Sequence, residues 1–232
     1  MRPSRRARSR FAWANPTRRR PRLWVATVAL VGAACADGPA PPSNDVFVPW
    51  TAAELRTLEH WRPGQPPEAA APPVGVIDRG ARATVLVFLD VECPIANAMA
   101  PELERLRRTY EPEGFAFRHV YPDGTRDRAA IDAHAAAYAL GAMVVRDPDH
   151  RLVDRCGATI APEAAIVVDG ELVYRGRVDD RAPELGARRP APRSRDLDRA
   201  LAALLNGRRP DPDRTEAVGC HLVDLRAPGE RR

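Results

Sequence analysis

No Cys-x-x-Cys pair occurs among the 232 residues, although four cysteines are present, Cys35, Cys93, Cys156 and Cys220. That absence removes zinc-knuckle spacing, and Cys220-His221 lacks the Cys-x-x-Cys-His arrangement of covalent haem attachment. No apolar run reaches the ~20 residues that a membrane-spanning helix needs. No internal repeat is evident. A basic surface is also missing from most of the chain. Nine arginines lie before residue 23, and removing them from the 36 basic residues leaves 27 against 31 acidic ones. The remainder is thus slightly acidic, which gives no electrostatic reason to expect nucleic-acid binding.

The arginine-rich start runs into Leu23–Ala34, an uncharged stretch of twelve with no acidic residue before it, followed by Cys35. A charged region, a short apolar region and small residues read as an export signal. Gly32-Ala33-Ala34-Cys35 resembles a bacterial lipoprotein box, which implies cleavage before Cys35 and its lipidation. Cleavage nearby without lipid and an uncleaved anchor are the alternatives. Residues 36–44 have the composition of an extended tether. Thr51 and Glu54 stand at capping-box spacing, with Trp50 and Leu55 at staple spacing, so a short helix is expected to end before Pro63. Five prolines between 63 and 73 then suit a linker, and the folded domain is expected to start near Val74.

The most informative stretch runs from Thr84 to Asn97. Thr84–Leu89 is apolar without alternation, as in a strand covered on both faces. Asp90-Val91-Glu92 and Cys93 follow, and Pro94 opens a segment to Tyr110 with Met99, Leu103, Leu106 and Tyr110 at helical spacing. A cysteine therefore falls where a buried strand becomes a helix, where the free N–H groups favour a thiolate. Asp90 and Glu92 oppose that ionisation. A small buried thiol of no chemical role is the plain alternative.

Further along, Phe115–Tyr121 reads as a strand, about 126–140 as a helix bearing Ile131 and Tyr138, Met143–Arg146 as a strand, and 147–157 as a helical turn ending at Gly157. Ala164–Val168 and Glu171–Tyr174 flank Asp169-Gly170, a hairpin signal. Arg177–Arg193 suits a surface loop, and Ser194 is placed to cap a last helix bearing Leu197, Leu201, Leu204 and Leu205, stopped by Gly207. The class is α/β, with a central mixed sheet of parallel strands plus a C-terminal hairpin, flanked by helices. The expected divisions are 1–34 (signal), 35–73 (tether and linker), 74–207 (domain) and 208–232 (tail).

Over residues 74–207, the strand, Cys93-Pro94, Pro101-Glu102-Leu103 and Gly157–Ala164 resemble the thioredoxin-like superfamily, in particular its redoxin and peroxiredoxin-related branch. The resemblance implies a thioredoxin-like fold, a reactive Cys93, and a cis Ala161-Pro162 bond facing it, with Pro94, Ala161 and Pro162 on the substrate surface. It implies a thiol–disulfide oxidoreductase of the cell envelope, without cofactor or metal. Protein thiols or disulfides are its expected partners, small peroxides a further class, and the membrane is reached through the lipid anchor. Ala96 stands in the second cysteine's place, so a distant cysteine must resolve the adduct. Cys220, on a tail free to move, is preferred to Cys156, which lies between a helix end and the Pro162 loop; a structural Cys156 and a pinned tail remain the alternatives. Asp90 replaces the Thr or Ser of peroxiredoxins, so strong peroxidase activity is not expected. A non-catalytic binding module and, with Asn97 in the place of a second ligand, a copper-binding protein are the competing readings. His119, His134 and His150 read as satisfied histidines.

Overall fold

The computed structural model describes residues 58–66 and 75–226. The expected signal, Cys35 and the capping-box helix at Thr51–Glu54 lie outside the described residues. Among the described residues, no helix is long and apolar enough to cross a membrane.

The centre is strand β2 (Ala83–Phe88), six residues buried without exception. Its alternate side chains enter different cores: Val85 and Val87 join one cluster, and Leu86 and Phe88 the other. That is why the run shows no polar alternation. β3 (Phe115–Tyr121) and β4 (Met143–Arg146) add in parallel on one side, and β6 (Glu163–Val168) and β7 (Glu171–Gly176) add antiparallel on the other. With β1 (His60–Trp61) at one edge, the sheet order is β1-β4-β3-β2-β6-β7. Asp169 and Gly170 both take positive φ, 50° and 85°, as the two-residue turn between β6 and β7 requires. This is the mixed sheet of a thioredoxin-like fold.

Helix α1 (Pro94–Tyr110) packs Met99, Leu103 and Leu106 onto the first cluster, joined by Ile131 and Ala135 of α2 (Arg128–Ala137) and by Leu197, Leu201 and Leu204 of α4 (Asp196–Leu205). Each such side chain contributes roughly 1.5–3 kcal/mol by leaving water. Asp127 caps α2 by accepting the Ala130 N–H at 2.8 Å. Tyr138, expected within this helix, follows its last turn and is exposed. On the opposite face, α3 (Arg151–Cys156) buries Leu152, Val153 and Cys156. Its first turn is held by the Asp147 carboxylate, which accepts the N–H groups of Arg151, Leu152 and Val153.

Several expectations are corrected. Strand β1 (His60–Trp61) pairs antiparallel with β4, so the sheet begins upstream of the expected domain start near position 74. Trp61 is buried, donates to Asp132 Oδ1 at 2.8 Å and lies under the Arg128 guanidinium, partners too distant in sequence for a local pattern to reveal. Ser194 does not cap α4: Arg195 is the cap residue, and the Ser194 hydroxyl instead donates to Asp196 Oδ1. The loop 177–193 is anchored by buried Asp179 and Asp180. Asp180 accepts the N–H groups of Arg193 and Ser194, and Asp179 pairs with Arg181.

The tail differs most from expectation. It is seated along its length as far as Arg226, so mobility is not what places Cys220. The Arg175 N–H donates to Asp213 O, and the Thr215 N–H to Arg175 O. The Thr215 hydroxyl meets Tyr174 Oη at 2.9 Å. A short strand β8 (Cys220–His221) then pairs antiparallel with β5 (Ile160–Ala161). The Leu222 N–H donates to Thr159 O at 3.0 Å, and Arg226 pairs with Asp154 and Asp224.

Candidate functional site

Three chain segments meet at Cys93. The first is the turn from β2 into α1. Asp90 O accepts the Cys93 N–H, Asp90 Oδ1 accepts the Glu92 N–H, and Pro94 occupies the first helical turn. Cys93 is itself the cap of α1, its sulfur accepting the Ala96 N–H at 3.4 Å. A sulfur in that position meets the positive end of the helix dipole directly.

The second segment is β5 with Pro162. The Ala161–Pro162 peptide is cis, and the Cys93 thiol donates to Ala161 O at 3.1 Å. Ala161 and Pro162 are buried beside it, while Pro94 is exposed at the rim. Glu163, just beyond, is buried and accepts the N–H groups of Thr159 and Ile160 while pairing with Arg175, which fixes the loop leading into Pro162.

The third segment is β8. The register sets Cys220 opposite Ala161, the residue whose carbonyl accepts the Cys93 thiol, so the two cysteines are neighbours. Burial pushes the Cys220 thiol up to about 12, with the contact to Cys93 and the Asp90 carboxylate adding to it. Cys220 therefore stays protonated at neutral pH beside the Cys93 sulfur. Both thiols are free. Cys156, also free, lies in the cluster on the other face of the sheet, and burial raises its pKa strongly. The structure thus brings Cys93, Ala161, Pro162 and Cys220 together and keeps Cys156 apart.

Sequence reasoning missed the support beneath the helix start. Asn97 Nδ2 donates to Val91 O at 3.2 Å, and its Oδ1 meets His134 Nε2 at 2.8 Å. The other His134 ring nitrogen meets Tyr121 Oη at 3.0 Å. Burial lowers the His134 pKa, so the neutral ring is favoured, against the pull of Asp90. The Asn97 spacing, one helical turn past Cys93, was the only local signal for it. Gly219 was also missed, because its role depends on a contact across the tail. Among the described residues, no group of three His, Cys, Asp or Glu side chains is arranged to hold a metal ion.

No family model matches the chain, and no curated protein matches it. Solved structures do. An uncharacterized conserved protein from Geobacillus kaustophilus is 23% identical, with a TM-score of 0.54, covering 73% of this chain and 98% of that one. A hypothetical protein from Sinorhizobium meliloti 1021 is 21% identical, with a TM-score of 0.54, covering 62% and 80%. A secreted Mycobacterium tuberculosis disulfide oxidoreductase overlaps more loosely, at 20% identity and a TM-score of 0.38 over 55% and 81%. The first two share the fold of this chain, a thioredoxin-like one by its own sheet order and connections.

Proposed function

We propose that the protein is a thiol–disulfide oxidoreductase anchored in the cell envelope, with Cys93 as nucleophile and Cys220 as resolving thiol. The observation that carries this reading is the strand register that brings Cys220 opposite Ala161, whose carbonyl accepts the Cys93 thiol at the cis Ala161–Pro162 bond. The Cys93 thiolate attacks one sulfur of a partner disulfide, forming a mixed disulfide and releasing the other sulfur as a thiolate. The released thiolate takes up the Cys220 proton, and Cys220 then attacks Cys93 Sγ, forming the Cys93–Cys220 disulfide and releasing the second partner thiolate. The leaving thiolates take up the protons given up by the two cysteines. The partner gains two electrons and the protein loses two. Protein disulfides are the proposed substrates. Asp90, beside the pair, places a negative charge where a peroxide oxyanion would develop, which disfavours peroxides.

Reduced protein mixed with glutathione disulfide tests the chemistry. The wild type is expected to release both glutathione thiols, whereas Cys220→Ser stops with glutathione held on Cys93. Release of both thiols by Cys220→Ser would exclude Cys220 as the resolving group. Lipidation at Cys35 rests on the small-residue run before it. Cys35→Ser is expected to release the protein from membranes, and a variant that fractionates and is processed as the wild type would contradict the anchor.

A further inference from the structure

Cys93 is 1% exposed, and Cys220 and Leu222 of the tail pack against the cluster that contains it. Strand β8 runs along β5, the two residues immediately before Pro162, and Gly219 lies against the same Ala161 carbonyl that accepts the Cys93 thiol. A Cβ at position 219 would fall 2.7 Å from the Ala161 carbonyl carbon and 2.9 Å from Ile160 Cγ2, closer than real Cβ atoms approach. The tail lies this close because residue 219 is glycine. Upstream, Gly176 makes the matching concession: a Cβ there would fall 2.8 Å from the Thr215 nitrogen. The tail is therefore fitted at two points by missing side chains. Yet its pairing over the site is only two residues long, a strand too short to be stable by itself.

β8 occupies the edge of β5 at Ala161, beside Cys93 Sγ. We propose that Gly219–Leu222 is a displaceable strap holding the place of the substrate. An extended polypeptide takes its position on the Ile160–Ala161 edge, by strand addition, with the cysteine to be reduced in the register of Cys220 and a small residue before it. Return of the strap delivers Cys220 to the mixed disulfide and displaces the first product strand, so resolution and release are one event. This rests on the oxidoreductase reading above for its chemistry, but the covering itself needs none.

The test is pulsed alkylation of the reduced full chain with iodoacetamide, read at each cysteine by peptide mass spectrometry. Wild type is compared with Gly219→Val and Leu222→Pro. Gly219→Val makes the backbone approach impossible, and Leu222→Pro removes the N–H that Thr159 accepts. Each is expected to speed Cys93 labelling by about tenfold or more, as local opening replaces a protected state. Cys156, 2% exposed in the opposite core, should stay unlabelled as proof of folding. Equal Cys93 rates in the wild type and in the folded variants would overturn the strap. So would labelling of Cys156 in both tail variants, which would make 219–222 part of the cooperative core. Alkylation involves no disulfide, so failure here leaves the glutathione experiment to judge the oxidoreductase reading separately.

Discussion

At Cys93, one sulfur accepts a helix-start N–H and donates to the carbonyl before a proline, so its two hydrogen-bonding roles point to different segments of chain. The first was legible in Cys93-Pro94, because strand, cysteine and N1 proline are adjacent in sequence. The second was legible only through the family resemblance, since Ala161 is far away along the chain. His119 shows the reverse case. Read as a satisfied histidine, it is buried on β3 with no partner for either ring nitrogen, and burial lowers its pKa to about 4 from 6.5. The sign follows from linkage: the unfolded chain binds the proton between pH 6.5 and 4 and the folded one does not. Stability is full above 6.5 and is lost as pH falls through 4, by about 3 kcal/mol from this group. Urea midpoints at pH 7 and pH 4 check it. His119→Leu should flatten the difference by roughly that amount, and an unchanged pH dependence would refute the assignment.

Among the elements, those whose signal is local came out of the sequence. β2 and α1 carry their period in their own residues, and the β6–β7 turn carries it in Asp169-Gly170. The elements that did not are the ones defined by distant partners. β1 is two residues long and exists through its pairing with β4 and the burial of Trp61 against α2. β8 is equally short and exists through β5, Gly219 and the Leu222 N–H. A Pro-rich approach and a Gly-Cys dipeptide give no periodicity, so a tail read from composition looks free to move. Its position on the β5 edge is why a strap is a sensible description: the contacts that hold it are few, specific and separable by single substitutions.

For the whole molecule, the sheet decides which cysteines can meet. Cys93 and Cys220 border the core on one face, while Cys156 closes α3 on the other, behind the layer formed by β2, β3 and β6. A disulfide needs Cα atoms about 4.4–6.8 Å apart, a spacing that neighbouring segments on one face can reach and opposite faces of a sheet cannot. Cysteine spacing alone allows any pair among Cys93, Cys156 and Cys220, because facing is a property of the folded sheet. The most direct measurement is peptide mapping, under non-reducing conditions, of the full chain after oxidation. The account predicts a Cys93–Cys220 link with Cys156 free, and a Cys156–Cys220 link with Cys93 free would contradict it.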